Sequence, residues 1–172
     1  MKIKKVTFPE KSILFNHNYD YSDSYSGNLG KKNSLVTSTD IGRAFFISSP
    51  KWIGLLMTLR NKIVSIVGLK TGTTTNQKEL SKKDLNFNKG DHIGVFKVFN
   101  KTETELILGE DDKHLNFRVS LFIVPNSMHK EKLIISTIVI FNNWFGKLYF
   151  LPVKVFHRFI VKSMLKKTIK SL

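Results

Sequence analysis

The ten residues Leu115-Asn116-Phe117-Arg118-Val119-Ser120-Leu121-Phe122-Ile123-Val124 alternate apolar and polar side chains through most of their length. A period of two sends Leu115, Phe117, Val119, Leu121 and Ile123 to one face of a strand and Asn116, Arg118 and Ser120 to the other. One face then enters a core and the other meets water. Three more runs of strand character lie nearby, at 93–99, 105–109 and 133–141. Their separations suit hairpins rather than crossovers, which indicates an antiparallel meander.

Outward from the meander, residues 2–35 contain one apolar patch, Ile13-Leu14-Phe15, and then a polar run with Tyr19, Tyr21, Tyr25, Gly27 and Gly30. This predicts a strand or extended segment followed by a loop. Thr39 or Asp40 is placed to cap a short helix through Ile41, Ala44 and Phe45. Ser49-Pro50 is a second start signal, a capping hydroxyl before a proline at the first helical position, and Trp52, Leu55, Leu56, Leu59, Ile63, Ile66 and Val67 then recur at helical spacing as far as Gly68. Residues 71–90 turn polar and predict a long loop or insertion, a candidate lid. Towards the carboxy terminus, Pro152 predicts the start of a helix reaching about Ile169, with Phe156, Ile160 and Met164 on one apolar line and Val161, Leu165 and Ile169 on the next.

The order is therefore strand, two short helices, several antiparallel strands and a long final helix. Without βαβ alternation this is an α+β domain, and residues 1–172 are read as one such domain. A long helix laid across a curved antiparallel sheet encloses a cavity between them, a common place for apolar ligands.

Composition narrows the chemistry. The chain has 172 residues and no cysteine, which removes disulfide frameworks, Cys-ligated metals and thiol nucleophiles. Lys and Arg number 28 against 13 Asp and Glu, a formal charge of +15, but only Arg43, Arg60, Arg118 and Arg158 are arginines. Phosphate and base readout favour the arginine fork interleaved with exposed aromatics. That interleaving is missing, so the lysines read as solvated surface charge and no specific nucleic-acid partner is expected. The longest apolar run, 133–141, is about half of what a bilayer core requires. The basic start Met1-Lys2-Ile3-Lys4-Lys5 is followed by Pro9, Glu10 and Lys11 before any run of signal-peptide length, so a cytoplasmic protein is expected.

Several stretches resemble a bacterial family of uncharacterised small proteins. They are Pro50-Lys51-Trp52, Leu59-Arg60-Asn61, Gly68-Leu69-Lys70-Thr71, Ile107-Leu108-Gly109-Glu110-Asp111-Asp112-Lys113-His114-Leu115, Phe117-Arg118-Val119-Ser120, Asn142-Asn143-Trp144, Tyr149-Phe150-Leu151-Pro152-Val153-Lys154 and Phe156-His157-Arg158. The resemblance covers roughly residues 50–165 and, more faintly, Tyr19 to Tyr25. It implies membership of the START-like, helix-grip superfamily of polyketide cyclases and lipid-transfer proteins, with a curved antiparallel sheet, two short helices and a long C-terminal helix. It assigns no chemistry to any residue.

The densest titratable group is Glu110-Asp111-Asp112-Lys113-His114. Strand alternation puts Glu110 and Asp112 on the face of Leu106 and Leu108, aimed at the cavity, with His114 nearby as acid, base or ligand contact. The same residues also read as a polar hairpin turn whose aspartates bond their own backbone. Arg60 lies beside the apolar stripe of its helix, where it either reaches an anionic headgroup or snorkels to solvent. Trp144, Tyr149 and His157 flank the entry to the last helix. The five histidines lack the spacing of a metal motif, no phosphate-binding loop or nucleophile elbow is present, and no cofactor is expected.

The leading expectation is a non-enzymatic domain that binds a small apolar or amphipathic molecule between sheet and C-terminal helix. Arg60, Glu110, Asp112, His114 and Trp144 are the candidate ligand contacts. A cyclase or hydratase using Glu110 or Asp112 with His114 is the alternative, and a basic protein in weak contact with anionic membranes is a third. The oligomeric state is left open.

Overall fold

The computed structural model describes residues 1–30, 36–48, 85–124 and 131–172. Its elements are β1 (Lys4–Lys5), β2 (Tyr21–Asn28), α1 (Ser38–Ile47), β3 (His92–Ile93), β4 (Phe96–Lys101), β5 (Glu105–Asp111), β6 (Leu115–Val124), β7 (Lys132–Phe141) and α2 (Trp144–Ser171). The strands form one antiparallel sheet in the order β1-β2-β7-β6-β5-β4-β3. Strands β3 to β7 are the expected meander, and the chain's first long strand closes it by pairing with β7. With α1 and the long α2 packed on one face, this is an α+β architecture consistent with a helix-grip arrangement. The helix expected from Pro50 to Gly68, Arg60 with it, and residues 71–84 of the polar stretch lie outside the described residues.

The expected run 93–99 is split by a tight turn. Ile93 pairs with Phe96, and Gly94 between them has φ +64°, the left-handed value that a two-residue hairpin turn demands at its first central position. The first helix is capped two or three residues earlier than expected, ahead of both Thr39 and Asp40. Thr37 is its N-cap, and Asp40 serves as the third helical residue of a capping box, its carboxylate accepting from the Thr37 N–H.

The inner face of the sheet holds the main core. Leu106, Leu108, Leu121, Leu133 and Ile135 meet Ile41 and Phe45 of α1 and Leu165 and Ile169 of α2. Each such side chain removed from water contributes on the order of 2 kcal/mol before ordering costs. Gly42 is the close-approach point of α1, since a Cβ there would lie 2.7 Å from the Phe87 ring and 2.8 Å from Leu106.

Two expectations change here. The polar run at 21–28 is an interior strand rather than a loop, and the apolar patch Ile13-Leu14-Phe15 lies in a turn-rich segment that crosses the opposite, outer face. Leu14 and Phe8 cover Ile107, Ile138 and Phe99 there. The polar face of β6 is therefore not open to water throughout, and Ser120 is fully buried.

The cover is fastened by one carboxyl group. Glu105, 1% exposed, accepts hydrogen bonds from the Ser12 hydroxyl at 2.6 Å, the Ser120 hydroxyl at 2.5 Å and the Ile13 N–H at 2.9 Å. Replacing Glu105 with Ala strands two buried hydroxyls and a partly buried backbone N–H. We expect a loss of about 2–4 kcal/mol in urea unfolding, with protease cleavage appearing first in residues 8–17.

Candidate functional site

The inner face is close-packed at the end where α1 and the last turns of α2 meet. Towards the first half of α2 the packing changes to aromatic and half-buried residues. Strand register sets out this second region. Tyr21 pairs with Val139, Val139 with Phe117 and Phe117 with Glu110, so these four form one row across β2, β7, β6 and β5. The row spans three strand spacings, roughly 14 Å. Phe150 of α2 packs against Tyr21 and Phe141, with ring centroids 4.9 and 5.4 Å apart, and Phe96 meets Phe117 at 5.9 Å.

One polar cluster is buried in this aromatic setting. Asp23, one register step from Tyr21 on the same face, has a side chain 2% exposed. Its Oδ2 accepts from the Tyr21 hydroxyl at 2.6 Å. Its Oδ1 lies 3.4 Å from His157 Nε2, a charge contact with no aligned hydrogen bond, and the same nitrogen is 3.1 Å from Thr137 Oγ1. Thr137 is the strand partner of Asp23, and His157 descends from the inward line of α2. Burial alone would push the Asp23 carboxyl up. The His157 contact and charge, the Tyr21 hydrogen bond and the positive field of Lys5 outweigh it and hold the group below the ordinary carboxylate range. Burial first, and then the neighbouring Asp23, push the Tyr21 phenol well above its usual range, which keeps it a neutral donor. Lys154 and Lys162 lie over the rings of Tyr21 and Tyr25 at 5.1 and 5.3 Å.

The sequence-expected contacts gather mainly at the other end of the row, around the β5–β6 hairpin and the start of α2. Glu110 is half-buried on the inner face beside Phe117. Asp112 sits in the turn, where its backbone N–H donates to the Leu115 carbonyl at 3.1 Å and its carbonyl accepts from Asn142 Nδ2 at 2.7 Å. His114 is tied to the helix cap. Asn143 Oδ1 accepts the Gly146 N–H at 3.0 Å and its Nδ2 donates to the Lys113 carbonyl at 3.2 Å, while His114 Nδ1 lies 3.0 Å from that Nδ2 and 3.2 Å from that Oδ1. The buried His114 Nε2 finds no hydrogen-bond partner among the described residues. Trp144, the first residue of α2, is 74% exposed.

The last helix thus begins eight residues before Pro152, capped by Asn143, and carries the proline inside it. Its inward line is Gly146, Phe150, His157, Val161 and Thr168, whereas Phe156, expected on the apolar line, is 55% exposed. Gly146 is required by contact, because a Cβ there would lie 2.1 Å from the His114 carbonyl oxygen.

The sequence reading missed Asp23, Thr137 and the partner role of Tyr21. The signal was present in Tyr21-Ser22-Asp23-Ser24-Tyr25-Ser26, where serine alternates with larger side chains at strand period. Among the described residues no three His, Asp or Glu side chains converge as a metal site. A separate groove of about 580 Å³ on the outer face, between Phe8, Phe15, Phe122 and Ile134, is lined mainly by apolar surface.

A sheet-and-helix domain with a buried carboxylate in contact with a histidine beneath its last helix is the class these observations define. The chain belongs to the family described as "Protein of unknown function (DUF2867)", whose profile matches residues 15–164. No curated protein and no solved structure matches it.

The lowered Asp23 carboxyl sets the sign of a pH effect. Its stabilisation is complete above the unfolded value and is lost as pH falls through the lower folded value. We expect Asp23→Asn to cost about 1–3 kcal/mol near neutrality. The gap from the parent protein should begin to narrow below about pH 4 and shrink further as pH falls, in denaturation curves taken across pH. Gly146→Ala, which forces α2 off the hairpin, is expected to cost about 1–3 kcal/mol and lower the melting temperature.

Proposed function

We propose that this domain binds a small apolar or amphipathic molecule between the inner face of the sheet and the first half of α2. The carrying observation is a pair of buried polar atoms without aligned hydrogen bonds among the described residues, Asp23 Oδ1 beneath the middle of α2 and His114 Nε2 beside its first turn. Buried polar atoms are nearly always satisfied, so such a pair is a natural place for ligand donors and acceptors to fix orientation. Apolar burial along Tyr21, Val139 and Phe117 supplies the affinity in this reading, and Glu110 marks the far end of the row.

Asp112, His114 and Trp144 at the helix entry, together with Arg60, complete the proposed contacts. The START-like resemblance supports the same reading by analogy of fold, which hosts many functions.

The test is native mass spectrometry of the full chain purified from cells, followed by denaturation and identification of released small molecules. We expect a bound apolar species whose occupancy falls in Phe117→Ala and in Asp23→Asn. A protein that is empty from every expression host, and that takes up none of a panel of fatty acids and polyketide-like aromatics, would overturn the proposal.

A further inference from the structure

Helix α2 has a second face, turned away from the sheet. At 100° per residue, Trp144, Leu148, Leu151, Val155 and Phe159 fall on one side, opposite the line that carries Phe150, His157 and Val161. Their exposures are 74, 55, 63, 56 and 67%, far above what large apolar side chains show in a packed interior, and Phe156 widens the stripe at 55%. The same side continues towards the carboxy terminus with Lys166 and Lys170, both exposed. Lys147 is exposed near the other end of the stripe. From residue 132 to residue 172 the sequence contains no Asp or Glu.

An apolar stripe that gives way along the helix to uncompensated lysines matches one kind of surface. Apolar side chains can enter the boundary between headgroups and acyl chains while lysines reach lipid phosphates and carboxylates. A second copy is a poor occupant, because each chain carries +15 and would bring the same lysines to the contact. Nucleic acid is a poor one as well, since aliphatic Leu148, Leu151 and Val155 form the centre of the stripe, where a stacking surface would need rings and arginines. Among the described residues no helix is long and apolar enough to cross a membrane, so the geometry is that of a helix lying in the interface plane.

We propose that the outward face of α2 seats this domain on anionic lipid bilayers, with the residues from Trp144 to Phe159 inserted and Lys166 and Lys170 held at the headgroups. This inference shares only Trp144 with the ligand reading, which otherwise concerns the opposite face of the same helix.

The test is co-sedimentation of the full chain with vesicles of phosphatidylcholine alone and of phosphatidylcholine mixed with phosphatidylserine. Binding is expected only to the mixed vesicles, and it should weaken as salt is raised. Leu151→Glu with Phe159→Glu should abolish it, and Lys166→Ala with Lys170→Ala should weaken it roughly tenfold or more. These residues are exposed, so circular dichroism and melting temperature should stay at parent values. Brominated acyl chains should quench tryptophan emission in the parent and much less in Trp144→Phe. Failure to sediment with either vesicle would sink the proposal, as would equal binding to both, or undiminished binding by the double-glutamate variant. A dimer dispersed by Leu151→Glu, without vesicle binding, would assign the face to a second copy and overturn it too.

Discussion

The rotational setting of α2 is the constraint on which the rest of the molecule depends. It is established in the first turn, where Gly146 rests on the His114 carbonyl and Asn143 bonds both the helix and the hairpin. A rotation of 100°, one residue, would carry His157 away from Asp23 and bring a neighbouring side chain to the sheet. Because the helix is rigid over its 28 residues, a contact at Gly146 governs what happens at His157 and at Leu165. The buried carboxylate therefore relies on a backbone contact several turns away as well as on its immediate neighbours.

The two faces of the sheet are held by different physics. On the inner face, area burial dominates, and the polar cluster around Asp23 is an exception set among aromatic rings. The outer face is covered by a segment with almost no regular structure, so its order comes from specific bonds to Glu105 and from a small cluster around Leu14. The serine pair Ser24 and Ser136, whose hydroxyls are 2.8 Å apart, continues that polar pattern towards β2. A face built this way is sensitive to loss of a single acceptor, whereas the inner face spreads its stability over many side chains.

Much of this fold was legible in the residues. Strands β5, β6 and β7 are continuous apolar or alternating runs, and the meander follows from their spacing. What escaped reading has physical causes. The strand at 21–28 has three serines among its eight residues, and serines become strand interior only because another segment covers them, a tertiary fact that no local pattern contains. Pro152 is normally a start signal. Here it lies on the exposed side of a helix whose own cap, Asn143, is an equally ordinary capping residue, so the pattern carried two valid starts and the structure uses the earlier one. The candidate site was half visible. Glu110 and His114 stand out as a titratable cluster, but the pairing of Asp23 with His157 joins residues from distant parts of the chain, and only the register of β2 on β7 and the rotation of α2 bring them together.

The sheet ends in two strands of two residues each, Lys4–Lys5 on one side and His92–Ile93 on the other. Free edges of long strands are templates for strand addition between molecules, the usual route into fibrils. Edges this short, one of them formed by two lysines, offer little backbone to pair with and repel a like-charged neighbour. Strand addition at these margins is thus disfavoured without burying them, and the large exposed apolar surface lies on the helix side.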